Sequence, residues 1–110
     1  MNTYTLSPAL LPHIEAVVGP TLDDKLMALL ETYLTTQLRA CEQEIGEYEV
    51  KYRTTFAEFA QAWEDDQTPA KYDHTVERDF MEWEGLLAEK QRWLQSLRKL
   101  PKREVVVRAM

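Results

Sequence analysis

Apolar residues recur along this chain at helical intervals in three stretches. The longest line runs Met27, Leu30, Leu34, Leu38, Cys41, Ile45, Tyr48, Tyr52, with spacings of 3, 4, 4, 3, 4, 3 and 4. Alternating threes and fours hold one stripe of an α-helix toward one neighbour, and the doubled four around Leu34 relaxes the supercoil locally. Leu22, Leu26, Leu29 and Tyr33 form a second line beside the first, so the N-terminal half presents a wider apolar arc. Thr21 is a natural N-cap, and Asp23 and Asp24 place carboxylates in the first turn, where the helix dipole favours them. The spacing predicts one helix over Leu22–Tyr52, about 46 Å long. Gly46 weakens it by about 1 kcal/mol relative to alanine unless a neighbour needs close approach there.

A shorter helical pattern follows in Phe56, Phe59, Ala60 and Trp63. It opens with Thr55-Phe-Ala-Glu58, the spacing of a capping box, and the run Asp65-Asp66-Gln67-Thr68-Pro69 closes it. The last long pattern is Val76, Phe80, Trp83, Leu87, Lys90, Leu94, Leu97, flanked by Leu86, Trp93 and Leu100 at intervals of seven. Its helix starts either at Thr68-Pro69 or a turn later at Asp73, and Pro101 stops it near Leu100. The expected fold is therefore all-α, with two long amphipathic helices in an antiparallel hairpin joined by a short connecting helix. Its seams invite a second copy, giving a homodimer and a helical bundle.

Residues 1–20 read as a lead-in broken by Pro8, Pro12 and Pro20, with room for a short helix between His13 and Val18 that Gly19 would end. This segment either lies across a groove between the longer helices or forms an arm. Residues 21–100 make the hairpin domain, and residues 101–110 a basic, valine-rich tail. In that tail, Val105, Val106 and Val107 favour an extended strand, yet no other segment offers a strand to pair with. The tail either pairs outside its own fold or is disordered.

Charge divides the chain. Residues 1–89 hold six Lys/Arg against eighteen Asp/Glu, whereas residues 90–110 hold seven Lys/Arg against Glu104 alone. The basic end is either a solvated helix terminus, where cations suit the dipole, or a dock for an acidic surface or a phosphate backbone. Lys102, Arg103, Val105, Val106, Val107 and Arg108 are the candidate partner-binding residues of the tail. Lys102, Arg103 and Arg108 could equally touch phosphates, so a nucleic-acid-associated role is the alternative, although no recognition helix rich in Arg, Lys and Asn accompanies them. A purely structural bundle subunit is a third reading.

Catalytic and metal chemistry find little footing. A di-metal helical bundle needs Glu-x-x-His on each of two helices, and the nearest match, His74-Asp-Val-Glu77, is reversed and occurs once. Cys41 lies on the apolar line, and no Gly-rich phosphate loop or nucleophile elbow is present. No enzyme activity, cofactor or metal is expected. A single cysteine, no apolar signal segment and no run of about 20 apolar residues lead to the expectation of a cytoplasmic protein with no membrane partner.

Residues 47–59, Glu-Tyr-Glu-Val-Lys-Tyr-Arg-Thr-Thr-Phe-Ala-Glu-Phe, with Asp79-Phe-Met-Glu-Trp-Glu84 further on, resemble a pattern of short prokaryotic helical proteins. In those proteins a long helix ends in a Tyr-Glu-x-Lys-Tyr-like stretch, followed by Ser/Thr-Phe-x-Glu-Phe and later by an acidic-aromatic segment. Arg53-Thr54 stands where that pattern has Gly-Met. The resemblance is to antitoxin-like components of toxin–antitoxin modules, and it implies a neutralised protein partner encoded nearby. Independently of it, Tyr48, Tyr52, Phe56, Phe59, Phe80 and Trp83 are expected to form one aromatic packing cluster where the three helices meet.

Overall fold

A computed structural model describes residues 5–68 and 73–101, and its regular elements among those residues are all helices. They are α1 (Leu11–Glu15), α2 (Leu22–Tyr52), α3 (Phe56–Glu64) and α4 (His74–Lys99). The tail residues Lys102, Arg103, Val105, Val106, Val107 and Arg108 lie outside the described residues.

Side-chain caps fix where the three longer helices begin. The Thr21 hydroxyl accepts from the Asp24 amide at 3.1 Å, Thr55 from the Glu58 amide at 3.3 Å, and Asp73 from the Thr75 amide at 2.8 Å. Each satisfies an amide that has no partner within its own helix. Of the two starts open to the last helix, the chain takes the later one, at Asp73. The box at Thr55 closes differently from its usual form, because the Glu58 carboxylate accepts from the Thr54 hydroxyl at 2.7 Å.

The lead-in helix starts two residues before and ends three residues before the His13–Val18 span predicted from the prolines. Pro12 lies in its first turn, where a missing amide proton costs nothing. The chain then reverses at Gly19, whose φ of 136° suits glycine and where an added Cβ would stand 2.8 Å from the Asp24 Cβ. Lys25 holds this reversal by donating to the carbonyls of Val17 and Glu15, at 2.5 and 3.2 Å. No residue of α1 is buried, which a strut across an interhelical groove would require.

The long helix α2 packs along α4. Tyr33 meets Trp93, Cys41 meets Leu86, Tyr48 meets Glu82, and Lys51 meets Asp79. Lys90, the one charged residue on the α4 seam, lies 3.5 Å from Glu42, an exposed pair worth little on its own. Short α3 closes the far end by packing on α4, with Phe59 buried. The buried apolar core among the described residues is Cys41, Ile45, Phe59 and Trp83. It therefore sits at the C-terminal half of α2, and the N-terminal half of that helix contributes nothing fully buried. No described helix is long and apolar enough to cross a membrane.

Candidate functional site

Two surfaces stand out, an aromatic junction with a charged rim and an apolar face further along α2. At the junction, Trp83 is wholly buried and gathers the other rings around it. Tyr48 and Tyr52, one turn apart on α2, stack on it at 5.7 and 6.0 Å, each ring inclined by 18°. Phe56 and Phe59 of α3 meet it at 5.3 Å, Phe56 edge-on. Phe80, one turn before Trp83 on α4, packs against Phe56 at 5.3 Å and Phe59 at 6.0 Å. Trp63 joins from the end of α3, 4.6 Å from Phe80. Offset and tilted ring pairs of this kind add about 0.5–1.5 kcal/mol each beyond their buried area. The indole Nε1 of Trp83 has no protein acceptor, so stacking and burial hold this ring rather than a hydrogen bond.

A polar triad caps the junction, and apolar periodicity along the chain does not reveal it. Asp79 is only 7 % exposed, yet it is a carboxylate on the apolar side of α4. Lys51 and the Tyr52 hydroxyl both donate to its Oδ2, each at 2.5 Å. Burial pushes the Asp79 carboxyl up, but the hydrogen bonds from Lys51 and Tyr52 and the charges of Lys51 and Arg78 outweigh it, so the net shift is down. Beside it the Tyr48 hydroxyl donates to Glu82 at 2.5 Å, and that bond, with burial and the charge of Glu82, pushes Tyr48 up to about 12. Burial and the bond to Asp79 push Tyr52 higher still. Both phenols are thus neutral donors, and Asp79 is a fixed anion at neutral pH. Cys41 is likewise held as a thiol: burial, then the nearby Glu89, push it up, and its Sγ donates to the Leu86 carbonyl at 3.1 Å.

Outside the triad lies a shallow hollow of about 460 Å³. Tyr48 and Leu86 form its apolar part, and Glu44, Glu47, Asp79 and Glu82 surround it with Lys51 as the cation. Its field favours cationic groups. A second hollow of about 420 Å³ lies at the turn between α2 and α3, beside Tyr52, Arg53, Phe59 and Ala62. Among the described residues, no group of three or more His, Cys, Asp or Glu is placed to hold a metal ion. His74 and Glu77 fall in the first turn of α4, and both are exposed.

The apolar face belongs to the first half of α2. Leu22, Leu29, Leu30 and Tyr33 are between 42 and 56 % exposed. Tyr33 touches Trp93 edge-on at 6.2 Å, which leaves most of its ring to solvent. Single exposed apolar residues are ordinary, but four on neighbouring turns of one helix make a patch. Comparison with family models, with curated proteins and with solved structures gives no match to this chain.

Proposed function

We propose that this chain is a non-enzymatic protein-binding module, an antiparallel helical hairpin that works as a homodimer and neutralises a second protein encoded nearby, as an antitoxin does. The observation that carries the protein-binding reading is the exposed apolar face of Leu22, Leu29, Leu30 and Tyr33 on α2. A patch of this kind gains by being covered, and a protein surface is the usual cover. Contacts that descend α4 as they ascend α2, from Tyr33–Trp93 to Lys51–Asp79, support the hairpin. The antitoxin role draws its support from the resemblance of residues 47–59 and 79–84. The acidic hollow around Glu44, Glu47 and Glu82 adds to it, because a partner that handles nucleic acid carries cationic groups that this hollow attracts.

The test is co-expression with the adjacent reading frame. Stoichiometric co-purification, together with growth arrest when the neighbour is expressed alone, is the expected result. No complex and no toxicity would remove the antitoxin role. Binding of the lone chain to DNA or RNA that collapses with salt would then favour the basic C-terminal segment as a nucleic-acid contact.

A further inference from the structure

A second heptad line runs along α2 beside the one that faces α4. Leu22, Leu26, Leu29, Tyr33, Thr36 and Ala40 are spaced 4, 3, 4, 3 and 4, an interval that keeps one stripe facing a single neighbouring helix. This stripe carries no charged residue over about 27 Å of helix. At its apolar end Leu22 and Leu29 are open to solvent, Leu26 is half-buried, and Tyr33 is 56 % exposed although its ring also meets Trp93 of α4; Leu30 is open on its shoulder. A stripe at this interval suits a helix as its occupant.

Two observations favour a second copy of this chain. The first is the lack of charge on the stripe: residues 1–89 hold six Lys/Arg against eighteen Asp/Glu, so two copies repel where their acidic faces meet, and the stripe is where they can approach without that cost. The second is side-chain size along the stripe. Large residues occupy one end and small ones the other, so a stripe turned end for end fits itself.

We propose that this stripe is the two-fold interface of a homodimer, with α2 of one protomer packed antiparallel on α2 of its partner. The proposal rests on the protein-binding reading above and assigns the dimer its surface and register. Leu29 packs against the partner's Tyr33, Leu26 against the partner's Thr36, and Leu22 against the partner's Ala40. Symmetry repeats each layer once on the other side. A parallel pairing fails on charge, because Gln43 and Glu47 continue the line and would bring Glu47 of both copies together. The antiparallel arrangement carries the two acidic hollows to opposite ends, where both remain open.

The test uses the purified full chain alone, so it does not depend on the neighbouring gene product. Light scattering after size exclusion is expected to give twice the 12.9 kDa chain mass. Leu29→Glu and Tyr33→Glu should each halve that mass with helical circular dichroism unchanged. Met81→Glu, on α4 and 66 % exposed, should stay dimeric. If Leu29→Glu loses helix, Tyr33→Glu decides, since its ring is more than half exposed. Under oxidation the double variant Leu29→Cys with Tyr33→Cys should form a covalent dimer, and Leu29→Cys alone should not. A monomeric wild type, a dimer indifferent to the stripe variants, or efficient crosslinking by Leu29→Cys alone would overturn the proposal. A dimer that nevertheless binds no neighbour would leave this interface standing and remove only the antitoxin role.

Discussion

At the scale of single residues, the junction owes its order to one buried charge. Asp79 sits among aromatic rings because Lys51 and Tyr52 satisfy the same carboxylate oxygen. Replacing it by Asn keeps the shape and one acceptor but removes the charge-assisted bond, and should cost about 1–2 kcal/mol in urea unfolding at neutral pH. Lys51 is half-exposed, so solvent keeps this figure well below that of a buried pair. The pH dependence has a definite sign. Folding lowers the Asp79 pKa, so its contribution is complete above the unfolded value of about 3.9 and drains away as pH falls through the folded value. The wild type should therefore lose its advantage over Asp79→Asn as urea midpoints are followed from about pH 5 downward. An advantage that persists in strong acid would refute the assignment. The pairing was not legible in the sequence. Lys51 and Asp79 lie 28 positions apart, and a carboxylate inside an acidic-aromatic run reads as solvated until the opposing helix is in place.

At the scale of elements, most helix bounds were legible. The apolar line from Leu22 to Tyr52 and the caps Thr21, Thr55 and Asp73 are local signals, and local signals determine where helices start. The lead-in was harder, because its short helix depends on a reversal at Gly19 and on Lys25 reaching back from α2. The turn after α2 is a further case. Arg53 closes it with φ of 55°, a left-handed conformation in which glycine carries no penalty. Arg53→Gly should raise stability by about 0.5–1 kcal/mol, read as a higher denaturation midpoint with the same cooperativity. Loss of stability would mean that the Arg53 side chain contributes more than its backbone costs. Within the helices, an added Cβ at Gly46 or Gly85 meets nothing within 4 Å. Close approach of a neighbour within the protomer therefore requires neither glycine. Gly46→Ala and Gly85→Ala should each stabilise by about 0.5–1 kcal/mol in thermal unfolding. A destabilised Gly46→Ala or Gly85→Ala would contradict the open space around that position.

At the scale of the whole molecule, the chain is built unevenly. Its buried core lies at one end, where α3 and the first half of α4 close over α2. The other half of α2 is only partly covered, and leaves Leu22, Leu29, Leu30 and Tyr33 open to solvent. The two apolar lines of α2 were both visible in the sequence. Periodicity alone could not say which of them α4 would take, because that depends on how α4 meets α2 across the core. If the exposed line on α2 binds protein, sedimentation velocity on the full chain should show a dimer for the chain alone and a faster, stoichiometric species when it is mixed with the product of the adjacent gene. A single slow monomer in both samples would overturn that reading.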